Sequence, residues 1–274
     1  MVPLKKDLII KELGESVFAR NLIVLENLDS TNNFAIKIAE NGAPEGTVVI
    51  AEEQSAGRGR MGRNWISPKY ANLLMSVLLR PQVEVQGVFI FTMVMALSVT
   101  EAVYETFGLR SGIKWPNDIY LKGKKLGGIL TEISYKGHIV EYAVVGLGLN
   151  INWKPEGVMN TRYPAVCIRD EVGGEVPRDK IIGSILAKLD LYRKMVLSGK
   201  LKELFGLWDE RSITRGKMVE IDTGKEIISG RVTGIDRFGS LIMNDKEGNE
   251  KKFLFGEVSL KEIKNEGLDN GKNS

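Results

Sequence analysis

Cysteine and histidine are nearly absent from this sequence of 274 residues, in which Cys167 and His138 are the only examples. A single cysteine excludes an intramolecular disulfide and a metal site built from cysteines. A single histidine excludes His-rich zinc sites, and it leaves one candidate base for a Ser-His or Cys-His triad. The sequence therefore excludes a disulfide scaffold and a zinc site made from these residues.

A strong charge of one sign and a long hydrophobic run are also lacking. Lysine and arginine total 38 and aspartate and glutamate 35, so the excess is too small to predict a nucleic-acid-binding face. The most apolar run, residues 88–99, is shorter than the roughly 18 residues that span a bilayer, and it predicts a buried helix. The N-terminal sequence MVPLKKDLII lacks the apolar run of a signal peptide, so we expect a cytoplasmic protein that does not enter a membrane.

The sequence has the hydrophobic content of a globular protein, 43%, and enough length for one large core and a small second domain. Hydrophobic periodicity predicts strands at residues 23–28, 47–52, 72–79, 112–115, 119–121, 126–133 and 139–147. It predicts helices at residues 31–41, 88–107, 178–196 and 201–211. Short strands between glycine turns, at residues 218–221, 227–235, 241–243 and 252–255, predict a small β-barrel. We expect a catalytic domain at residues 1–212, a β-domain at 213–264 and a disordered polar tail at 265–274.

A glycine-arginine loop at residues 57–63, with the sequence GRGRMGR, is the first candidate for chemistry. Glycine permits positive φ, so successive backbone N–H groups can form a nest that binds an anion. Arginine adds a planar, permanently charged fork that fits phosphate oxygens. The loop is neither a Walker A motif nor a Rossmann fingerprint. An exposed flexible loop or an RNA-binding segment remains the alternative interpretation.

Two lysine-containing motifs lie at predicted strand ends. In KWPND, residues 114–118, amide and carboxylate oxygens of the kind that bind Mg²⁺ follow a strand, although a simple turn has the same composition. In KKLGG, residues 124–128, the glycines let a ligand lie against the backbone. The lysine ammonium there could neutralise a carboxylate that attacks a phosphate. A charged hairpin turn is the alternative for this second motif.

Two further motifs carry polar groups beside helix and strand ends. GLGLNIN, residues 146–152, alternates glycine along a strand, which indicates close backbone approach, and Asn150 offers a polar contact at the strand end. In DSTN, residues 29–32, Asp29 and Ser30 offer N-cap oxygens for the helix that follows. The hydroxyls of this motif could also bind the polar head group of a ligand.

Taken together and in order, DSTN, EEQSAGRGRMGRNW, KWPND, KKLGGIL and GLGLNIN resemble the signature of the biotin–protein ligases. The resemblance covers most of residues 29–152, and FGEVSL at 255–260 resembles the end of that family's C-terminal domain. It implies an α+β fold, with a mixed β-sheet flanked by helices as in class II synthetases and a small C-terminal SH3-like β-barrel. The implied reaction uses ATP and Mg²⁺ to make biotinyl-5′-AMP, then transfers biotin to a lysine of a biotin carboxyl carrier domain.

The resemblance also implies roles for individual residues. The implied biotin contacts are Ser30, Thr31, Asn32, Gln54, Gly57, Arg58 and Gly128. The implied contacts to ATP or the adenylate are Arg58, Arg60, Arg63, Trp65, Asn117, Lys125 and Asn150. Lys125, Arg58 and Arg60 are the implied catalytic residues, and Asn117 and Asn150 the implied Mg²⁺ ligands. Asp118 lies where it could help to deprotonate the acceptor lysine.

The family comparison also predicts partners and differences. Regulatory members carry an N-terminal winged-helix domain, for which the stretch before the first predicted strand is too short, so we expect no DNA binding. Members often dimerise by pairing sheet edges, and we expect a homodimer. Lys261 stands where some members have an arginine near the adenine.

Two other functions fit part of the sequence. Lipoate–protein ligases share the fold and the adenylate chemistry, but they typically carry an Arg-Arg…Gly-Gly…His run, and His138 lies elsewhere. A nucleic-acid-binding module using the glycine-arginine loop would need interleaved stacking aromatics, of which only Trp65 is close.

Overall fold

A seven-stranded β-sheet forms the centre of the computed structural model, which describes residues 1–81, 83–156, 164–254 and 256–260. Its strands are β1 (Leu22–Leu28), β2 (Val48–Gln54), β3 (Leu73–Leu79), β4 (Ser111–Lys114), β5 (Asp118–Leu121), β6 (Lys124–Lys136) and β7 (Ile139–Leu149). They lie in the order β1-β2-β3-β7-β6-β5-β4. Only β1 and β2 pair in parallel; the other neighbours are antiparallel. The sheet is therefore mixed, as the sequence predicts.

Helices cover both faces of this sheet. They are α1 (Lys6–Leu13), α2 (Val17–Arg20), α3 (Thr31–Glu40), α4 (Phe89–Phe107), α5 (Ile168–Val172), α6 (Arg178–Leu197) and α7 (Leu201–Arg211). On one face, α3 packs on β2, β3 and β7 through a small cluster that includes Ala35 and Val144. On the other face, α4 lies in the main core between the sheet and α6. The sheet thus carries one small and one large hydrophobic layer.

The helix α4 is long and apolar enough to cross a membrane by length and composition alone. However, 72% of that stretch is buried inside the fold. It contacts α6, α7 and four strands of the sheet, and it ends where Gly108 adopts φ 69° in the left-handed region. The helix is therefore a core element, as the short apolar run at residues 88–99 predicts.

A second, five-stranded antiparallel sheet follows α7. Its strands are β8 (Met218–Asp222), β9 (Ile227–Ile235), β10 (Leu241–Asp245), β11 (Glu250–Phe253) and β12 (Glu257–Leu260), in the order β11-β10-β9-β8-β12. The turn between β9 and β10 packs against the start of α4 and against the residue that follows β4. Trp115 Nε1 donates a hydrogen bond to the Gly239 carbonyl at 2.8 Å, and a Cβ placed at Gly239 would lie 2.0 Å from Phe89. This close approach fixes the small sheet beside the end of β4.

The predicted fold class is confirmed, since the mixed sheet is flanked by helices and a small antiparallel sheet follows it. The bounds predicted for α7 and β9 coincide with the observed ones. The prediction missed α1, α2, α5 and β12, which are too short to show clear periodicity. It also ended β6 early, because pairing with β7 extends that strand to Lys136. The predicted tail at 265–274 and Lys261 lie outside the described residues.

A buried ion pair joins the central sheet to the N-terminal end of α6. Arg178 Nη1 lies 2.6 Å from Glu52 Oε2 on β2, and the two side chains are only 3% and 5% exposed. Arg178 also donates to the carbonyls of Asn72 and Val2, while Glu52 Oε1 accepts the Leu4 N–H at 2.6 Å. Because buried charges are costly unless they are paired and hydrogen-bonded, each partner depends on the other.

We expect Arg178→Met to reduce the free energy of unfolding by about 3–5 kcal/mol, because it leaves the Glu52 carboxylate buried without a counter-charge. Urea unfolding followed by circular dichroism measures the loss. Arg193→Met is the matched control on the same helix, since the Arg193–Glu45 pair is 22% and 29% exposed. That change should cost less than about 1 kcal/mol. Equal losses for the two variants would contradict the role given to burial.

Candidate functional site

A cavity of about 780 Å³ opens where the glycine-arginine loop faces the ends of β2, β6 and β7. The predicted acid-binding residues that line it are Ser30, Thr31, Asn32, Gln54, Arg58 and Gly128. The predicted nucleotide-binding residues Arg60, Arg63, Trp65, Asn117, Lys125 and Asn150 line the same cavity. Gly57 alone lies behind this lining, where its carbonyl accepts the Trp65 N–H at 2.9 Å. Five separate sequence motifs thus meet in one place.

The N-terminus of α3 is closed differently from the prediction. Ser30 occupies the N-cap position, but its side chain makes no capping hydrogen bond. Asp29 instead accepts from Asn33 Nδ2 at 2.7 Å, and this hydrogen bond lowers the pKa of the Asp29 carboxyl. The first helical N–H, that of Thr31, donates to Gln54 Oε1 on β2 at 2.7 Å. The predicted side-chain cap is therefore wrong, because a neighbouring strand supplies the acceptor.

A buried hydroxyl on β3 completes this polar end of the cavity. Ser76 Oγ lies 2.8 Å from Thr31 Oγ1 and 2.6 Å from Asn32 Oδ1, and Ser76 is fully buried. Thr31 Oγ1 in turn donates to Gln54 Oε1 at 3.0 Å. Sequence reasoning missed Ser76, although one hydroxyl within the apolar strand LLMSVLL was a usable signal. The network fixes the side chains that face the cavity.

The residues with positive φ in the glycine-arginine loop lie in its second half. Among its residues, Met61 and Gly62 adopt positive φ, at 55° and 70°, while Gly57 and Gly59 do not. The Gly59 N–H donates to the Arg63 carbonyl at 2.7 Å, which closes a tight turn. The positive φ that glycine permits is therefore used at Gly62, next to Met61, and not at the other two loop glycines.

Each cation of the site already has a partner within the protein. Arg58 lies 2.6 Å from Glu132, Arg63 2.6 Å from Glu257 on β12, and Lys125 Nζ 2.6 Å from Asp118. Arg60 Nη1 donates to Asn117 Oδ1 at 2.9 Å. Burial lowers the pKa of the Arg60 guanidinium, and the charge of Asp118 partly offsets this effect. An anionic ligand therefore competes with these partners or binds the remaining N–H donors of the same cations.

Two glycines of β7 leave room for side chains that cross the sheet. A Cβ at Gly146 would lie 2.1 Å from Asn32 Oδ1, and one at Gly148 would lie 2.3 Å from the Trp65 ring. Trp65 therefore packs directly on the backbone of Gly148. Its Nε1 is buried and has no hydrogen-bond partner in the part of the chain that the structure describes. The alternating glycines therefore allow the predicted close approach to the backbone of β7, and the groups that approach are protein side chains.

The predicted Mg²⁺ ligands differ in their availability. Asn117 Oδ1 accepts from Arg60. Asn150 Oδ1 is buried and has no hydrogen-bond partner among the described residues, and Asn150 Nδ2 donates to the Val166 carbonyl. In the part of the chain that the structure describes, no group of three or more His, Cys, Asp or Glu could hold a metal. Magnesium commonly binds through few protein ligands together with substrate phosphates and water. The free oxygen of Asn150 fits such a site.

Comparisons with known proteins agree with this geometry. Residues 24–150 match the model of the biotin/lipoate A/B protein ligase family, and residues 214–261 match the biotin protein ligase C terminal domain. The bifunctional ligase/repressor BirA of Bacillus subtilis is 32% identical over 87% of this chain and 74% of its own. A biotin–[acetyl-CoA-carboxylase] ligase of Paracoccus denitrificans is 32% identical over 83% of this chain and 95% of its own.

The fold also matches solved structures. The biotin protein ligase from Aquifex aeolicus in complex with biotin and ATP superposes with a TM-score of 0.75 and 30% identity. The match covers 88% of this chain and 99% of that one.

We expect Gly148→Ala to displace Trp65, because the added methyl group would overlap the indole ring. The tryptophan fluorescence should shift to longer wavelength, and the shift should vanish in a Trp65→Phe background. Gly128→Ala is the matched control on β6, since its Cβ would meet its neighbours at an ordinary 3.5 Å. An unchanged spectrum for Gly148→Ala would show that the ring does not rest on this glycine.

Proposed function

The chain belongs to the biotin protein ligase family, and we propose that it joins biotin to a lysine of a biotin carboxyl carrier domain. In the first step, the biotin carboxylate attacks the α-phosphate of ATP, which forms biotinyl-5′-AMP and releases pyrophosphate. In the second step, the lysine amine attacks the activated carbonyl, an amide forms and AMP leaves. The observation that carries this proposal is the single cavity in which a hydrogen-bonding end and a cationic end meet.

The hydrogen-bonding end suits a cyclic urea. Gln54, Thr31, Ser76 and Asn32 supply amide and hydroxyl groups that both donate and accept. The adjoining wall contains Leu74, Met75 and Leu147, which can cover an apolar chain, and glycine on β7 keeps this wall thin. Biotin combines these features, since its ureido ring carries two N–H donors and one carbonyl, and its carboxylate ends an alkyl chain.

The cationic end suits the transfer of a phosphorus-bound group. A carboxylate that attacks a phosphate meets like-charge repulsion, and Lys125 and Arg58 can neutralise it in the transition state. When Lys125 turns to the reacting oxygens, it leaves Asp118 without its present ion-pair partner. Asp118 is then placed to accept the proton that the acceptor lysine loses before it attacks.

The nucleotide is held by groups around the loop. Arg60 and Arg63 bind the phosphates and order the loop over the adenylate, which excludes the water that would hydrolyse it. Trp65 covers the adenine. Asn150 Oδ1 would hold Mg²⁺ in part, and the ion would supply charge neutralisation at the phosphates of ATP. These roles are supported by the shared cavity and by the unpartnered oxygen of Asn150.

The wider organisation of the protein follows from the same proposal. The catalytic domain comprises residues 1–212 and the C-terminal domain residues 213–264, in keeping with family matches that end at 150 and begin again at 214. The protein acts in the cytoplasm without binding DNA. It forms a homodimer through an edge of the larger sheet. Within the described residues β1 is the more open edge, because Ser212 already bridges to β4.

We expect the protein to catalyse exchange of labelled pyrophosphate into ATP when biotin is present. Lipoate should not support exchange, because no histidine accompanies the glycine-arginine loop. A second assay supplies ATP, labelled biotin and a carrier domain, and covalent label should appear on the carrier. Exchange with lipoate and none with biotin would contradict the substrate. Label that fails to reach the carrier would contradict the acceptor.

We expect Lys125→Ala to slow adenylate formation by roughly 100- to 1,000-fold, because one preorganised donor to the transition state is lost. Lys124→Ala is the matched control, since Lys124 is exposed and lies one residue earlier on β6. Single-turnover formation of biotinyl-5′-AMP is the measurement, with the thermal midpoint as the check on folding. A near-normal rate for Lys125→Ala would move the catalytic role to another cation.

A further inference from the structure

Glu132, on the strand β6, lies outside the set of residues predicted to bind biotin or ATP. Its Oε2 accepts from Arg58 Nη2 at 2.6 Å and from Asn32 Nδ2 at 2.8 Å. One carboxylate oxygen therefore joins the glycine-arginine loop to the first turn of α3. The Glu132 and Arg58 side chains are 29% and 40% exposed, so water screens their attraction.

A second cavity, of about 930 Å³, adjoins the first and shares part of the loop as its lining. Arg58 lines both cavities, whereas Glu132 lines only the second one. Phe89, Phe238 and Leu254 contribute apolar surface to this second cavity. The Arg58 guanidinium is therefore bound to a group that does not border the cavity proposed for biotin and ATP.

We propose that Glu132 is a positioning residue that competes with the adenylate for the guanidinium of Arg58. This inference rests on the proposed function of the first cavity. In the ligand-free protein Glu132 holds Arg58, and the phosphate of the adenylate draws it away because charged hydrogen bonds to phosphate are strong. Glu132 keeps the hydrogen bond from Asn32, so its carboxylate retains a donor when Arg58 leaves.

The exchange sets how tightly the intermediate is held. Arg58 must break its ion pair with Glu132 before it binds the adenylate. The free energy of that step lowers the net affinity for the adenylate. After AMP departs, the same carboxylate offers Arg58 a return partner and favours the ligand-free arrangement of the loop. Glu132 therefore makes the retention of the adenylate weaker than Arg58 alone would allow.

The test is Glu132→Gln, which removes the charge but keeps an acceptor for Asn32. With biotinyl-5′-AMP supplied directly, its dissociation rate should fall roughly two- to five-fold, which is the effect of losing one half-exposed ion pair. Glu141→Gln is the matched control on the neighbouring strand β7, where Glu141 accepts from Ser134. It should leave the dissociation rate unchanged, and the thermal midpoints of both variants check their folding.

A double-mutant cycle separates partner exchange from a general field effect, because removing any nearby negative charge favours a bound anion. In an Arg58→Ala background, Glu132→Gln should have no effect on the dissociation rate. Faster or unchanged release from the single variant, or the same slowing without Arg58, overturns the inference. Failure of the wild-type protein to bind biotinyl-5′-AMP overturns the proposed function instead.

A structure of the wild-type protein with a non-hydrolysable adenylate gives an independent measurement, which does not depend on the folding of any variant. Arg58 should contact the phosphate and lie beyond hydrogen-bonding distance of Glu132. An intact Arg58–Glu132 ion pair in that complex contradicts the exchange.

Discussion

The pairing of β6 with β7 is the interaction on which the site depends. Its register sets Gly128 directly opposite Gly148, so two residues without side chains meet in the middle of the sheet. Because no Cβ projects from Gly148, the Trp65 ring lies directly against β7 at this point. The same ladder brings KKLGG and GLGLN side by side, although they are distant in sequence. Without this pairing the cationic and hydrogen-bonding ends would not share a cavity.

Charge balance is the second constraint on the site. The larger sheet contributes Glu132 and Asp118, and the small C-terminal sheet contributes Glu257. Each of these carboxylates forms an ion pair with one cation of the site. A cluster of unpaired cations in a partly desolvated cavity would repel itself. The carboxylates therefore stabilise the ligand-free protein and lower its affinity for anions. Because Glu257 belongs to β12, the C-terminal sheet takes part in this balance.

The sequence predicted what depends on contiguous residues. The strands β2, β3 and β7 and the helices α4, α6 and α7 follow from local hydrophobic periodicity, and each motif lies in one short segment. The contributions of Ser76 and Glu132 could not be predicted in this way. They contact Asn32 across 44 and 100 residues of sequence, and only the strand register places them there. The predicted cap of α3 was wrong for the same reason. The Thr31 N–H donates to Gln54 on the neighbouring strand β2, and the adjacent Ser30 is not its acceptor.

Gly148 carries a consequence at the level of the genetic code. Every single-base change that alters a glycine codon to another amino acid introduces a Cβ, and the Trp65 ring occupies that position. Even alanine, the smallest step, places its methyl group where the ring lies. A substitution there therefore displaces the Trp65 ring unless Trp65 is replaced as well. The two codons are thus coupled, although they lie 83 positions apart in the sequence, as 148 minus 65 gives.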